Sequence, residues 1–141
     1  MFAIPDALSY EEASLVEPFS VGIHAATRTK LQPGSTIAIM GMGPVGLMAV
    51  VAARAFGASN IIVTDLEPLR LEAAKEMGAT YAINIREQDP YEAIQDITNG
   101  KGLMLLGKQQ VIQQRSNQRL HLYAAAGSWP LSVYRLKMKF R

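Results

Sequence analysis

Cysteine is absent from this chain of 141 residues, and histidine occurs only twice. The lack of thiols excludes disulfides, a cysteine nucleophile and cysteine-bound zinc within the sequence. Acidic residues are missing from positions 103–141, where seven lysines and arginines lie, although residues 1–102 contain twelve acids. Long apolar runs are also lacking, since the longest, Gly46–Ala53, is too short for a transmembrane helix. We therefore expect a globular protein with a basic C-terminal segment and no membrane partner.

The length suits one domain, and no basic-then-apolar signal segment opens the chain. Met1–Ser9 carries Pro5 and Asp6 where such a segment would be apolar. We expect a cytoplasmic protein.

The N-terminal residues carry helix signals. Ser9 and Glu12 have the spacing of a capping box, so a short helix should begin there. Because proline disfavours helical geometry in the residue before it, we expect an interruption at Glu17-Pro18. A second helix is predicted over Phe19–Lys30.

Strands and helices then alternate. Short apolar, β-branched runs predict three strands, each followed by a segment of helical periodicity. The predicted strands are Thr36–Met40, Asn60–Thr64 and Thr80–Ile85, and the helices are Pro44–Phe56, Pro68–Met77 and Tyr91–Thr98. Right-handed crossovers place the strands in the order 3-2-1. The predicted fold class is α/β, an incomplete Rossmann (doubly wound parallel) sheet with N-terminal helices.

The first strand has no native neighbour on its other side in this arrangement. We expect an unpaired apolar edge there, unless the short apolar run Leu103–Leu106 takes the vacant position. An open edge would make the fold marginally stable and prone to association.

A glycine motif links the first strand to the following helix. Gly41-Met42-Gly43-Pro44-Val45-Gly46 has the pattern G-x-G-x-x-G in the strand–turn–helix context that gives the pattern meaning. Gly41 permits the tight turn, Gly43 lets the backbone approach a pyrophosphate, and Gly46 allows close helix packing. N–H groups at the helix N-terminus, which begins with Pro44 and Val45, would bind the phosphate charge.

An acidic residue stands at the end of the second predicted strand. Asp65 has the position of the acid that accepts ribose hydroxyls and repels a 2′-phosphate, which favours NAD over NADP. Arg70 leaves NADP open, because an arginine there can accept the 2′-phosphate. The plainer alternative is a glycine turn with a helix-capping aspartate.

Several segments together resemble the medium-chain zinc-containing alcohol dehydrogenases. They are Glu17–Gly22, His24–Ala26, Pro33-Gly34 and Gly41–Gly46. Thr64-Asp65-Leu66, Arg70 and Ala73–Lys75 are similar to the sorbitol (L-iditol) dehydrogenase group of that family. The resemblance covers essentially all of residues 1–102.

The resemblance implies oxidation of a secondary alcohol of a polyol, with hydride transfer to NAD and a zinc ion as Lewis acid. In the family a cysteine and a His-Glu pair hold the zinc, and the glutamate that Glu17 matches lies beside the zinc-bound water. The resemblance also assigns Gly41, Gly43, Pro44, Val45, Asp65 and Arg70 to the cofactor site. Gly46 joins them through the glycine motif.

This sequence departs from the family in its zinc ligands. It has no cysteine and no His-Glu pair, and it begins just upstream of the Glu-Pro motif. We expect three parts: a helical lead from the junction of the catalytic and cofactor domains (1–34), an NAD-binding half (35–102) and an unmatched basic tail (103–141). The expected product is an inactive fragment without metal ligands, able to form a homo-oligomer.

The tail suggests a missing base at the Gly102 codon. Permissible codons for Leu103–Lys108, read one base earlier, give Val-Asp-Val-Ala-Trp-Glu, which resembles the family's next strand. Gln109–Gln114 likewise conceals Thr-Ala-Gly-Asn-Pro-Ala. A frame-shifted tail would also explain the loss of acidic residues.

Two other classes of function stay open. One is a non-enzymatic NAD-binding or dimerising fragment, which a cofactor titration would reveal. The other is a nucleic-acid binder that uses Lys108–Arg119, whose affinity would fall steeply with salt. That segment lacks the interleaved aromatic residues that favour single-stranded ligands, so we expect no nucleic-acid partner.

His24 is expected to be a core or interface histidine rather than a ligand.

Overall fold

Two helices, α1 (Tyr10–Ser14) and α2 (Val16–Arg28), precede the sheet in the computed structural model. The structure describes residues 3–99 and the strands at 103–107, 122–125 and 132–136. The predicted capping box is present: the Glu12 N–H donates to Ser9 Oγ at 3.1 Å, and the Ser9 N–H donates to Glu12 Oε2 at 2.9 Å. Two N-terminal amides of α1 therefore have side-chain acceptors.

The break between the helices lies at Leu15, earlier than predicted. α2 begins at Val16, so the prediction that it starts at Phe19 is wrong. Pro18 has no N–H to donate to the carbonyl of Ser14, four residues earlier, and α1 ends at that residue. Pro18 itself lies in the first turn of α2, where the missing N–H costs little.

Three parallel strands and three helices confirm the predicted α/β alternation. The strands are β1 (Thr36–Met40), β2 (Asn60–Asp65) and β3 (Tyr81–Asn84), and the helices are α3 (Pro44–Ala55), α4 (Pro68–Glu76) and α5 (Pro90–Thr98). Their order is β3-β2-β1, as predicted. In this register Met40 lies beside Thr64, and Asp65 lies beside Asn84. The carboxyl ends of the strands therefore meet at one edge, where ligands bind in open α/β sheets.

The outer side of β1 is paired. β4 (Leu103–Gly107) runs parallel to it, with Ala38 beside Leu105. The expected unpaired edge at β1 is thus wrong, and the alternative, that the Leu103–Leu106 run takes this position, is confirmed. Beyond β4 the sheet continues with β6 (Ser132–Leu136) and β5 (Leu122–Ala125), both in antiparallel pairings, and the full order is β3-β2-β1-β4-β6-β5.

Buried side chains cover both faces of the parallel sheet. One face carries Ile37, Ile39 and Val63 and packs against α2, α3 and α4, whereas Ala38, Ile62 and Ile83 on the other face meet Ile94 of α5. Alternate residues of each strand therefore lie in different layers, as a sheet with helices on both sides requires.

Small residues bring α2 against α3. A Cβ at Gly22 would lie 2.8 Å from the carbonyl oxygen of Met48 and 3.0 Å from the nitrogen of Ala49. The neighbouring turn of α2 contributes buried Ala25 and Ala26 to the same contact face. Backbone-to-backbone packing thus joins the N-terminal lead to the helix that starts at the glycine motif. In the described part of the chain, no helix has the length and apolarity needed to cross a membrane.

Candidate functional site

The glycine motif forms the turn between β1 and α3. Gly41 has a φ of +90°, in the region that favours glycine over residues with a side chain. Its N–H donates to the carbonyl of Thr64 at 2.8 Å, which continues the pairing of β1 with β2 for one more residue. The chain can therefore leave the sheet abruptly and enter α3 at its carboxyl edge.

Gly46 closes the turn from the helix side. A Cβ at this position would overlap the carbonyl oxygen of Gly41 and lie 3.0 Å from its carbonyl carbon. The close packing predicted for Gly46 is thus a contact with the first residue of the motif. A side chain at Gly46 would force the loop away from the helix.

Gly43 is different, because nothing lies within 4 Å of its hypothetical Cβ. It is the N-cap of α3, with φ −74° and ψ −177°, a conformation open to any residue. Pro44 is the first helical residue, and the N–H groups of Val45 and Gly46 lie in the first turn, where no earlier helical carbonyl accepts them. The free space at Gly43 lies at the N-terminus of α3, where unpaired backbone donors and the positive end of the helix dipole suit a phosphate group.

Asp65 joins the turn to the end of β2. Its side chain is only 9% exposed, and Oδ2 accepts a hydrogen bond of 2.6 Å from the Met42 N–H. Oδ1 accepts a second bond, of 2.9 Å, from the Glu67 N–H. The structure therefore brings together the predicted acid and the glycine turn, 23 residues apart in sequence.

The environment of Asp65 favours its ionised form. Burial, the largest single influence, raises the pKa of this carboxyl, but N–H groups of Met42, Glu67 and Leu66 and the charge of Arg70 together lower it below its ordinary value. Asp65 is thus a carboxylate at neutral pH. A fixed negative charge here suits ribose hydroxyls and opposes a 2′-phosphate.

Met42 contacts a candidate site residue, although no sequence motif pointed to this contact. Its side chain is fully buried in the core, while its N–H reaches Asp65. The signal was present, since the first variable position of the glycine motif carries a large apolar residue. Periodicity could not reveal the contact, because it depends on how the turn meets β2.

Exposed residues of the next segment flank Asp65. Arg70 is exposed on α4, and its positive charge helps to lower the pKa of the Asp65 carboxyl. Leu66 and Leu69 are 47% and 72% exposed, respectively. The segment that follows the acid therefore exposes both an arginine and apolar side chains.

The hydrogen bonds of Glu17 with other described residues do not involve the glycine turn or Asp65. It is exposed in the first turn of α2, and its own carbonyl accepts a bond of 2.7 Å from Ser20 Oγ. Among residues 3–99, no hydrogen bond links its carboxylate to the glycine turn or to Asp65. His24, on the same helix, is also exposed, so it is not a core histidine, and the alternative of an interface histidine stays a prediction.

Metal-ligating residues do not cluster in the described ranges: no group of three or more His, Cys, Asp or Glu side chains that could hold a metal ion occurs there. The described residues fit the predicted dinucleotide site better than a metal site. It offers a cradle free of Cβ atoms at Gly43, the helix N-terminus at Pro44 and the carboxylate of Asp65.

Comparison with known proteins points to one family. The family model described as "Zinc-binding dehydrogenase" matches residues 44–128. Over 103 residues the chain is 80% identical to a sorbitol dehydrogenase of Bacillus subtilis and 41% identical to one of Gallus gallus, covering 73% of this chain and 29% of each relative. The chain thus spans less than a third of the length of these curated relatives.

Solved structures agree with the sequence matches. An alcohol dehydrogenase from Thermus sp. ATN1 superimposes with a TM-score of 0.64 at 36% identity, covering 70% of this chain and 28% of that one. The family model extends past Gly102, where the resemblance seen in the sequence motifs ends. Because that model matches more than half of the chain, this protein belongs to the zinc-binding dehydrogenase family.

Proposed function

We propose that this chain carries the NAD-binding half of a polyol dehydrogenase of the sorbitol dehydrogenase type. In a whole enzyme of this kind, bound NAD would supply the hydride acceptor for a secondary alcohol, and zinc would supply the Lewis acid that polarises the alcohol oxygen. The residues of this chain supply the cofactor cradle. Those proposed to bind NAD are Gly41, Gly43, Pro44, Val45, Gly46, Asp65 and Arg70.

The observation that carries the proposal is the joint placement of Gly43 and Asp65. Open space over Gly43 leaves room for a pyrophosphate against the N-terminus of α3. Asp65 lies at the end of β2, bonded to the same turn, where it can accept hydroxyls of the adenosine ribose. The 80% identity to the Bacillus subtilis protein supports a polyol as the substrate of the whole enzyme.

We propose no zinc site within this sequence, because it contains no cysteine and no His-Glu pair. Glu17, whose counterpart in the resembling family lies beside the zinc-bound water, is then without a partner for that role. The purified chain should form no NADH from sorbitol with added zinc. Zinc-dependent NADH formation would contradict this part of the proposal.

The cofactor site is tested by a glycine pair. Gly43→Ala places a methyl group in the proposed pyrophosphate position without touching the protein, so unfolding should be unchanged while NAD affinity falls at least about tenfold, as expected for loss of close backbone approach. Gly22→Ala is the matched control, because its Cβ meets the backbone of α3 away from the turn. It should lower stability and leave the NAD affinity of the folded protein unchanged. Equal NAD affinity of the Gly43→Ala variant and the unaltered chain would refute the site.

Cofactor preference is tested at Asp65 and Arg70. We expect NAD to bind better than NADP, and Asp65→Ala to remove this preference because the charge that opposes a 2′-phosphate is lost. The alternative is that Arg70 binds the 2′-phosphate. In that case the unaltered chain would bind NADP at least as well as NAD, and Arg70→Ala would abolish the NADP binding.

Self-association is a second candidate role, favoured by apolar surface on the N-terminal lead. Leu15, Val16 and Ile23 are 49%, 60% and 39% exposed, respectively. A homo-oligomer would cover such side chains. Sedimentation equilibrium should then show a dimer that Val16→Asp dissociates, whereas a monomer at all concentrations would exclude this role.

The basic tail stays divided between two interpretations. The absence of acids after position 102 and the concealed family-like reading support a frame-shifted origin, whereas the family-model match through residue 128 supports a tail of the normal frame. Resequencing the gene decides between them. If the tail is frame-shifted, restoring one base at the Gly102 codon must open a long dehydrogenase reading frame. The nucleic-acid alternative falls on Lys108–Arg119, which lies outside the residues that the structure describes. The family model covers this segment.

A further inference from the structure

Asp65 accepts hydrogen bonds from two backbone N–H groups of the protein, which its proposed contact with ribose does not require. We infer that Asp65 is a positioning residue for the glycine turn, so that pyrophosphate binding and ribose binding depend on the same carboxylate. The inference rests on the proposed NAD site and deepens it. It assigns the phosphate affinity of the turn partly to a residue that does not itself touch phosphate.

The first support is the way Met42 is held. Gly41, before it, turns out of β1 with a positive φ, and Gly43, after it, caps α3. The Met42 side chain is fully buried, so it anchors the turn to the core from one side. Its N–H donates to Asp65 Oδ2 at 2.6 Å, which anchors the backbone from the other. Met42 is thereby fixed at both its side chain and its peptide group.

The second support is the way Asp65 is held. Oδ1 accepts the Glu67 N–H at 2.9 Å, so the carboxylate bridges the glycine turn and the segment that enters α4. The side chain is nearly buried, at 9% exposure, and cannot rotate without giving up a hydrogen bond to a buried backbone donor. A carboxylate has about four acceptor positions, so Asp65 can still accept a hydrogen bond from a ribose hydroxyl. Ribose therefore meets a carboxylate whose orientation the protein has already set.

The two roles predict opposite effects on a phosphate ligand without ribose. Removing the negative charge of Asp65 should by itself strengthen the binding of an anion nearby. Losing the bond to Met42 should weaken it, because the turn is then free to move its N–H donors away from the phosphate position. Inorganic pyrophosphate separates the two effects, since it contains no ribose for Asp65 to contact.

The experiment compares three variants of the full chain by calorimetric titration with pyrophosphate and with NAD. Asp65→Ala should weaken pyrophosphate binding about tenfold, the effect of losing one hydrogen bond to a charged group. Asp65→Asn should fall between Asp65→Ala and the unaltered chain, because its single carbonyl oxygen can accept one of the two N–H groups. Glu67→Gln is the charge control: it removes a neighbouring carboxylate, retains the backbone N–H and should bind pyrophosphate equally well or more tightly.

A measurement without any ligand keeps the inference separate from the NAD proposal. Amide hydrogen exchange at Met42 should be about tenfold faster in Asp65→Ala and should stay unchanged in Glu67→Gln. Unaltered exchange at Met42, or pyrophosphate binding as tight in Asp65→Ala as in the unaltered chain, would overturn the positioning role. If the unaltered chain binds neither ligand, the NAD proposal fails, and the exchange rates alone decide whether Asp65 fixes the turn. If Asp65→Ala does not fold, Asp65→Asn takes its place with smaller changes of the same sign, and the absence of any change in both Met42 exchange and pyrophosphate affinity would overturn the positioning role.

Discussion

The β1–α3–β2 unit and the N-terminal helices treat their apolar residues differently. In the unit, Ile39, Val50 and Ile62 are at most 1% exposed. In the lead, Leu15 and Val16 are 49% and 60% exposed, although α2 buries Gly22, Ala25 and Ala26. The same chain thus contains a complete two-sided core and a helix that is buried on one side only.

The difference shows in which region this chain buries its apolar side chains by itself. The strands of the unit are covered on both faces, by α2, α3 and α4 on one side and by α5 on the other. The proposed cofactor site lies at the carboxyl edge of this well-packed part, which can hold a turn rigidly. Glu17, by contrast, belongs to the exposed surface of the lead. The proposed cofactor site therefore lies on the well-packed part of the chain, and no group of three or more potential metal ligands occurs among the described residues.

The largest expected effect comes from a truncation in the covered sheet. Ile62→Ala removes a fully buried side chain between β2 and α5 and should lower the free energy of unfolding by about 2–5 kcal/mol. Val16→Ala, at an exposed position, should change it by less than about 0.5 kcal/mol. Urea denaturation of both variants measures the contrast. Similar losses would mean that the exposed face of the lead is covered in solution.

A smaller effect is expected where the two regions meet. Gly22→Ala places a methyl group 2.8 Å from the Met48 carbonyl oxygen and should cost about 1–3 kcal/mol, because two helix backbones must separate. Alanine is otherwise the better helix former by about 1 kcal/mol, so a gain in stability would show that α2 does not pack on α3 in this way. Thr27→Ala, at an exposed position of the same helix, serves as the control.

Acid should distinguish the two regions through their carboxylates. Since the pKa of Asp65 is lowered in the folded state, its contribution to stability is present above the unfolded-state value of about 4 and is lost as the pH falls through the folded value. Asp65→Asn should therefore flatten the decline of stability below about pH 4. In the lead, Ser9 lowers the pKa of Glu12 through its backbone and side-chain hydrogen bonds, but Glu12 is exposed. Glu12→Gln should alter the acid slope less, and the reverse order would contradict the burial of Asp65.

The smallest effect is expected at the capping box. Ser9→Ala removes the acceptor of the Glu12 N–H and should cost about 0.5–1 kcal/mol, because α1 is short and exposed. Circular dichroism during thermal unfolding measures it, with Ser14→Ala, at the end of α1, as the control. A loss as large as that of Ile62→Ala would mean that α1 stabilises more than itself.

Local sequence determined the elements because their signals are local. β-branched runs, the Ser9 capping box and the glycines after α3 and α4 act within a few residues, and the corresponding strands and helices occur almost where they were predicted. The glycine motif followed by an acid at the end of β2 likewise predicted which residues lie at the sheet edge. The strand order followed from the handedness of crossovers.

Contacts between distant segments could be decided only by the tertiary structure. The bond from the Met42 N–H to Asp65, the closeness of Gly22 to Met48 and the pairing of β1 with β4 each join residues whose spacing carries no periodic signal. The early break at Leu15 shows the same limit, since Pro18 acts through the carbonyl of Ser14 in the preceding turn. Sequence fixes which hydrogen-bonding groups and apolar surfaces exist, whereas packing determines which of them meet, because a contact depends on the positions of both partners.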